Sequence, residues 1–479
     1  MPASTMMERS LSDLETVSRP AAGGGDDRNL TRSMGDAACF GAMVGCGETY
    51  FAPFALAIGL SETAAGLVAS LPLLAGGLIQ LVSPIAITWL GSLQRWVVAG
   101  AFVQAFSFVP LAIAAWYGSL SLPWLLLIAA VYWGAGLATG PAWNTWMEEV
   151  VPAERRIRFF ARRSRLQQAT TFVALMAAGV LLQWAEASQV ALIGFATTFC
   201  IAAGFRIASA LFLHRTDSTP IGHLPLGDAE SGQPDSEDAI DPTESHDELA
   251  LANWSTDDPV GPDAIRLLVY LVLMQAFIQF SAPYFVPYML QQLEFSYGIY
   301  VMLISIAFLS KVLSMSFWAG IAETAGASRL LWIGGIGLVP LAGLWIVSNN
   351  LLWLAGMQVL SGIAWAAYEL GFFLMFFETL PPGHRTRLLT YYNLGNTLSM
   401  CAGALAGAAV LQWLGVSFQT YYLLFAVSSF GRLLCLGVLG GITLPTHSLK
   451  TIRMRILSVR PGAGSVVTPI VASAEEDGI

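Results

Sequence analysis

The sequence of 479 residues has a net charge of −9 at neutral pH, is 55% hydrophobic and contains only 11% charged residues. A soluble globular domain carries about 25% charged residues, so this composition excludes a protein that is surrounded by water on all sides. Apolar runs of about 20 residues recur, and each is long enough to cross roughly 30 Å of hydrocarbon as a helix. The sequence therefore predicts a polytopic helical membrane protein.

The N-terminal half of the chain is predicted to contain a polar tail followed by six membrane spans. Residues 1–33 are polar and carry charges of both signs, which is typical of a disordered tail. No short apolar core with a cleavage site follows a charged start, so a signal peptide is not predicted. The domain 34–214 then contains six apolar spans, at 34–60, 63–88, 96–118, 122–148, 163–186 and 189–214.

The segment 215–263 is predicted to be a flexible linker. It contains thirteen Asp and Glu residues, with Pro and Gly throughout, so it cannot bury enough apolar surface to order itself. The domain 264–443 follows, and residues 444–479 form a short, mildly basic tail. The six spans of this second domain are predicted at 264–292, 296–319, 328–348, 351–378, 387–414 and 418–443.

The distribution of Lys and Arg predicts the orientation of the spans. The turns after the odd-numbered spans contain neither residue. Basic residues outside the spans lie in the tails, in the linker flanks and at the turns after the second, fourth, eighth and tenth spans. Because basic loops stay on the cytoplasmic side, both termini and the linker are predicted to be cytoplasmic, in a multi-pass protein of the cell membrane.

The sequence contains an internal repeat with an offset of 229 residues. The match runs without a gap from an acidic helix end, through a basic turn and across an apolar span. A self-match at about half the chain length indicates a duplicated unit, so two similar halves are predicted. The aligned pairs are Glu149 with Glu378, Pro152 with Pro381, Arg156 with Arg385, Arg158 with Arg387, and Leu182-Gln183-Trp184 with Leu411-Gln412-Trp413.

A second match, at an offset of 234 residues, pairs Phe-Ala-Pro-Phe at 51–54 with Phe-Val-Pro-Tyr at 285–288. Proline inside a membrane helix removes one backbone hydrogen bond and loosens the helix. Matched prolines in the first span of each half therefore predict a bend that both halves share. A chance similarity in packing is the alternative.

The order of six spans, linker and six spans resembles the major facilitator superfamily over residues 34–443. The arginine-rich EEVVPAERRIRFFARRSR stretch and its echo ETLPPGHRTR support the resemblance, and Glu323, Gly326 and Arg329 match part of a signature turn of the family. Thr88 departs from that signature, because it stands at the acidic position of the first half. The resemblance implies an all-α membrane protein with twelve transmembrane helices in two pseudo-symmetric six-helix bundles.

The resemblance also implies a secondary active transporter that moves a small solute by alternating access. In the family, the first, fourth, seventh and tenth helices line the central cavity. Cavity positions are therefore implied for a set of polar and aromatic residues on these spans. They are Glu48, Tyr50, Asn144, Gln275, Gln279, Trp365, Tyr368 and Glu369.

Charged residues inside the apolar spans are candidates on physical grounds alone. A charge near the bilayer centre costs roughly 2.5–3.5 kcal/mol, so Glu48, Lys311 and Glu369 need a partner or a water-filled path. A carboxylate whose surroundings change between two states can couple protons to transport. A fixed ion pair is the alternative for Lys311 and Glu369. Arg206 and Arg432 are interpreted as structural, with Arg206 extending toward the cytoplasmic surface.

Two polar patterns leave alternatives open. Gln275 and Gln279 share one face of the seventh span and either bind a solute or join two helices. The basic turn either anchors the topology at anionic head groups or forms a cytoplasmic gate. In the gate hypothesis the acids Glu149 and Glu378 pair with Arg156, Arg158, Arg385 and Arg387.

Motifs of other protein classes are missing from the sequence. There is no G-x-x-x-x-G-K loop, no H-E-x-x-H and no G-x-S-x-G, so neither an enzyme nor a P-loop pump is predicted. No cofactor, metal or nucleic-acid partner is expected. The expected partners of the monomer are a small solute, protons and the lipid bilayer. A receptor or regulatory protein that signals through the acidic linker is the alternative.

Overall fold

The computed structural model describes residues 23–79, 82–217, 262–379 and 382–440. The tail 444–479, most of the linker and residues 1–22 lie outside these ranges. Every regular element in the described ranges is a helix, and eleven helical segments are long and apolar enough to cross a membrane. Residues 23–217 are called the first half below, and residues 262–440 the second half.

The first half contains nine α-helices. The short helices α3 and α4 follow each other closely and together give one candidate span, Glu62–Ile79. The helices are α1 (Gly23–Cys46), α2 (Phe51–Ala57), α3 (Glu62–Val68), α4 (Leu71–Ile79), α5 (Ser83–Leu90), α6 (Leu93–Tyr117), α7 (Leu122–Val150), α8 (Ala153–Ala187) and α9 (Ala191–His214).

The second half contains seven α-helices, and one candidate span, Ala264–Gln292, combines α-helical, 3-10 and π-helical turns. The helices are α10 (Pro262–Ser281), α11 (Phe285–Pro287), α12 (Tyr297–Ala325), α13 (Ala327–Val347), α14 (Leu351–Thr379), α15 (Pro382–Leu414) and α16 (Phe418–Gly440).

The connections between long helices alternate between two ends of the molecule. One end, called the linker end, carries an ion pair between Asp27 and Arg155 at 3.2 Å. The other, called the short-loop end, carries a hydrogen bond from Gln292 to Glu62 at 2.8 Å. The connections at the short-loop end are 58–61, 118–121, 188–190, 293–296, 348–350 and 415–417.

The first helix begins at Gly23, eleven residues before the predicted start at 34. Its polar first turns have partners, because Asp27 pairs with Arg155 of α8 and Asn29 accepts a hydrogen bond from the backbone of Asp217. Because of the charged residues in these turns, α1 is not one of the eleven segments that are apolar enough to cross a membrane. A turn at Gly47 then divides its apolar part from α2.

The two segments that carry the matched sequences at 51–54 and 285–288 are interrupted at corresponding positions. A 3-10 turn at Glu48–Tyr50 precedes α2, and a 3-10 turn at Ala282–Tyr284 precedes α11. Pro53 and Pro287 lack the N–H that would bond to the carbonyl group four residues earlier, so each helix loosens one turn before its proline. Both halves therefore interrupt this helix where the sequence predicted a shared bend.

The basic stretch after α7 is helical, whereas the sequence predicted a turn with a span that starts at 163. α8 begins at Ala153, immediately after Pro152. Proline favours the first positions of a helix and arginine has a high helix propensity, so the helix extends about ten residues earlier. At about 1.5 Å per residue, α8 is lengthened by roughly 15 Å at the linker end.

Two helix pairs pack in backbone contact through glycines spaced four residues apart. Gly41 and Gly45 of α1 face the backbone of α8, and Gly403 and Gly407 of α15 face the backbone of α10. Small residues at this spacing let membrane helices approach closely. An added Cβ at any of the four would overlap a carbonyl oxygen, namely that of Gln167, Thr171, Ala276 or Phe280. We call these two contacts the glycine seams.

Candidate functional site

A cavity of about 220 Å³ lies between the two halves. Both interrupted segments contribute to its wall, as do α3, α4, α7, α12, α13, α14 and α16. Most of the wall is apolar or aromatic and the polar groups are few, which is typical of small-molecule sites. The polar or charged side chains of this central cavity are Glu48, Thr49, Gln279, Gln358, Ser361 and Arg432, and its tryptophans are Trp133, Trp345 and Trp365.

Glu48 is the one carboxylate among the residues that line the central cavity. It lies in the 3-10 turn that interrupts the first helical segment, and it is half-buried. Its Oε2 accepts a hydrogen bond from the Tyr132 hydroxyl at 2.7 Å. Phe51 and Phe108 contact the Tyr132 ring edge-on, with centroids 5.2 and 5.3 Å away, and so orient the phenol. The carboxylate is thus held by a neutral donor at a cavity wall.

Arg432 of α16 also lines the central cavity, although the sequence suggested a structural residue on a peripheral span. The side chain is buried, and it donates from Nη1 to the Leu338 carbonyl oxygen at 3.0 Å and from Nη2 to Ser281 Oγ at 3.2 Å. A long side chain brings the guanidinium from α16 to the wall. The cavity therefore contains an acid from the first half and a base from the second.

The glutamine pair and the aromatic candidates divide between the cavity and the packed interior. Gln279 and Trp365 line the central cavity, whereas Gln275 and Tyr368 are buried away from its wall. Tyr50 is also buried outside it, and its hydroxyl donates to the Leu175 carbonyl oxygen at 2.8 Å. Tyr50 thus joins the turn after α1 to α8.

The remaining candidates from the sequence lie toward the linker end. Asn144 on α7 is half-buried and outside the central cavity, and on α8 Arg156 is half-buried and Arg158 is exposed. The structure does not describe the side chains of the other predicted gate residues. These residues are Glu149, Glu378, Arg385 and Arg387.

Lys311 and Glu369 form an ion pair between α12 and α14. Lys311 Nζ lies 2.7 Å from Glu369 Oε1, and the two side chains are 7% and 6% exposed. Neither residue lines the central cavity. Of the two interpretations that the sequence left open, this geometry favours the fixed pair, because each charge offsets the desolvation of the other.

A second polar cluster lies in the first half, and the sequence analysis did not single out three of its members, Asp36, Gln104 and Ser209. Asp36 accepts from Arg163 Nη2 at 2.6 Å through one carboxylate oxygen and from the Ser209 hydroxyl at 2.7 Å through the other. Arg206 donates to Ser209 at 2.7 Å and to Gln104 Oε1 at 2.6 and 2.9 Å. We call these five residues the Asp36 cluster.

The Asp36 cluster corrects the interpretation of Arg206. Its side chain does not extend to the surface at the linker end but is buried, with its guanidinium 5.0 Å from the centre of the Phe40 ring. Arg163 lies 4.3 Å from the centre of the Trp143 ring in the same way. One carboxylate thus joins two arginines and connects α1, α6, α8 and α9. An Asp and an Arg inside predicted spans are the only signals that the sequence offered.

The two halves touch each other toward the short-loop end. Glu62 accepts from the Tyr421 hydroxyl at 2.5 Å and from Gln292 Nε2 at 2.8 Å. Gln183 Oε1 accepts from the Gly298 backbone N–H at 2.8 Å. Deeper along α8 and α12, the Phe172 and Phe308 rings stack with centroids 6.2 Å apart.

Comparisons with known proteins connect this geometry to a fold. No protein-family model matches the sequence, and no curated protein matches it. Solved structures do match. A D-xylose–proton symporter has a TM-score of 0.64 at 13% identity, covering 88% of this chain and 99% of that chain.

Two further solved structures match over a similar share of this chain. A bacterial homologue of the iron transporter ferroportin, in an inward-facing state, has a TM-score of 0.62 at 15% identity and covers 86% of this chain and 97% of that chain. The nucleoside transporter NupG has a TM-score of 0.61 at 12% identity and covers 87% and 98%. These proteins are transporters of the major facilitator type, so this chain has the major facilitator fold.

Proposed function

We propose that this membrane protein is a secondary active transporter that moves a small solute by alternating access, with Glu48 as the proton-coupling group. The observation that carries the proposal is the central cavity between the two halves, with Glu48 and Arg432 on its wall. Transporters of this kind bind their solute where two repeats meet, beside interrupted helices. Here the 3-10 turns at Glu48–Tyr50 and Ala282–Tyr284 both border the cavity.

The proposal includes the arrangement of the spans. We propose that α1 and α2 form a twelfth span, so that 34–214 and 264–443 make two six-helix bundles, in a monomer with both termini and the linker in the cytoplasm. The matched 3-10 interruptions and the equivalent close contacts of α1 with α8 and of α10 with α15 support the pseudo-symmetry. Contacts between the halves toward the short-loop end support a state that is closed on the outside.

The receptor alternative has no support from the described residues or from the comparisons. The acidic linker that would carry its signal lies largely outside the described ranges. The matched structures described above are named as transporters of a sugar, of nucleosides and of iron. The functional proposal therefore rests on the cavity and its charged groups.

Replacing Glu48 by Gln tests the coupling. Gln has nearly the same shape but cannot take up or release a proton, so solute-dependent proton movement is expected to fall to the level of empty liposomes. The measurement uses proteoliposomes that contain a pH-sensitive dye, to which a panel of sugars, nucleosides and organic acids and bases is added. Glu294→Gln is the matched control, because Glu294 is exposed near the short-loop end.

Two results would count against the proposal. If no solute of the panel accumulates in liposomes containing the wild-type protein, transport itself is contradicted. If Glu48→Gln moves protons with its solute as fast as Glu294→Gln does, Glu48 is not the coupling group. Solute exchange without a pH gradient is expected to survive in Glu48→Gln, because exchange needs no net proton transfer.

A Tyr421→Phe variant tests the contact at the short-loop end. A hydrogen bond to a charged group contributes roughly 1.5–3 kcal/mol, and partial exposure of Glu62 lowers that value. We expect the variant to shift the equilibrium toward the outward-open state. Spin labels at positions 189 and 416, in a background without the native cysteines, should report longer distances between the halves. Tyr422→Phe is the matched control, and an unchanged distance distribution in Tyr421→Phe would contradict the role of this contact.

A further inference from the structure

Arg432 is a buried cation that has no carboxylate partner among the side chains that the structure describes. Only 3% of the residue is exposed, and none of the described ion pairs includes it. Its two hydrogen-bond acceptors, the Leu338 carbonyl group and the Ser281 hydroxyl, are neutral, and its buried Nε has no hydrogen-bond partner. Neutral acceptors offset only part of the desolvation of a buried charge. Arg432 thus differs from Lys311 and Arg163, which are paired.

The neutral partners of Arg432 hold its guanidinium in place at the cavity wall. Ser281, which accepts from Nη2, donates in turn to Ser428 at 2.9 Å, and Ser428 donates to the Phe277 carbonyl oxygen at 2.6 Å. This chain connects α10 to α16. Anchored in this way, Arg432 keeps the second hydrogens of both terminal nitrogens for a ligand. Arginine binds planar carboxylates through two parallel hydrogen bonds.

We infer that the solute is a small organic monocarboxylate whose carboxyl group binds Arg432. The inference rests on the proposed transport function and names its substrate class. The cavity volume of about 220 Å³ lies below the roughly 300–1,000 Å³ of sites for drug-sized ligands, so the solute is small. The walls formed by Trp133, Trp345 and Trp365 provide apolar contact for a short carbon skeleton.

Glu48 restricts the charge of the solute further. It shares the central cavity with Arg432, so a second negative charge on the solute would meet repulsion from this carboxylate. Rejection of a wrong ligand by like charge is a common device of specific sites. A monocarboxylate is therefore favoured over a dicarboxylate of similar size.

The test compares acids with their own amides, which have the same shape but no charge. The full-length protein in detergent is titrated with propionate and propionamide, lactate and lactamide, benzoate and benzamide, and with succinate. Binding is read from the change in tryptophan fluorescence on titration and from the melting temperature. We expect at least one monocarboxylate to bind at least about tenfold more tightly than its amide, and more tightly than succinate.

Variants of Arg432 connect this preference to the site. Arg432→Gln is expected to abolish the preference for the acid over the amide, and Arg432→Lys to reduce it, because lysine keeps the charge but loses the fork of donors. Arg95→Gln is the control, since it removes an exposed positive charge at the linker end. If Arg432→Gln does not purify as a folded protein, Arg432→Lys carries the test.

The outcomes separate this inference from the transport proposal. The inference is overturned if every amide binds as tightly as its acid, or if the Arg432 variants keep the full preference of the wild-type protein. A neutral or cationic solute that binds and is taken up would also overturn it, while transport stands. A carboxylate that binds through Arg432 without uptake into proteoliposomes would sustain the inference and contradict the transport proposal.

Discussion

Replacing Lys311 by Met is expected to lower the free energy of unfolding by about 3–5 kcal/mol. The Lys311 and Glu369 side chains are almost fully buried and 2.7 Å apart, and removal of one partner leaves the other charge buried and uncompensated. The measurement is denaturant and thermal unfolding of the purified protein in detergent. Single substitutions away from such features change stability by about 0.5 kcal/mol or less, so the effect should be clear.

A double variant distinguishes the loss of one charge from the loss of the whole ion pair. In Lys311→Met with Glu369→Met, no charge remains, and side chains of similar volume fill the space between α12 and α14. Replacement of a whole buried ion pair by apolar residues is often neutral or stabilising. The double variant is therefore expected to regain most of the stability that the single variant loses. A single variant that melts at the wild-type temperature would show that the pair contributes nothing.

Replacing Asp36 by Asn is expected to destabilise the first half to a similar extent, by about 3–5 kcal/mol. The carboxylate is the one negative charge of the Asp36 cluster, where it accepts from Arg163 directly and connects to Arg206 through Ser209. With Asn in its place, the Asp36 cluster keeps two buried guanidinium groups but has no carboxylate. The amide also turns one acceptor into a donor that faces Arg163 or Ser209.

Asp27→Asn is the matched control for this prediction. Asp27 also pairs with an arginine of α8, Arg155, but both side chains are largely exposed, at 71% and 65%. Exposed ion pairs contribute about 0–1 kcal/mol, so the same chemical change should leave the melting temperature almost unchanged. If Asp36→Asn and Asp27→Asn lowered the melting temperature equally, burial would not decide how much these ion pairs contribute to stability.

Much of the architecture followed from local features of the sequence. The apolar runs predicted the helical segments, and the matched sequences at 51–54 and 285–288 predicted irregular helices where the 3-10 turns Glu48–Tyr50 and Ala282–Tyr284 lie. The cost of burying a charge indicated that Glu48, Lys311 and Glu369 each need a partner or a water-filled path. These inferences succeed because length, hydropathy and proline chemistry act over a few residues and need no knowledge of neighbouring helices.

The features that were missed depend on contacts between distant parts of the chain. Asp36 bonds to Arg163 and Ser209, which are 127 and 173 residues away, so no spacing rule connects them. Whether Arg432 faces the cavity depends on the rotation of α16 and on the reach of a flexible side chain. The helical start of α8 was missed because the density of arginines suggested a loop, although arginine is a good helix former.

The glycine seams limit how parts of the two halves can be exchanged. The repeats relate α1 to α10 and α8 to α15. The glycines, however, lie on α1 in the first half and on α15 in the second half. A hybrid in which α10 replaced α1 would bring two helix surfaces without seam glycines into contact, so their side chains would overlap. A hybrid in which α15 replaced α8 would place two glycine-bearing surfaces opposite each other and leave a gap. The pair of helices, and not the single helix, is therefore the smallest unit that recombination or protein engineering can transfer between the halves.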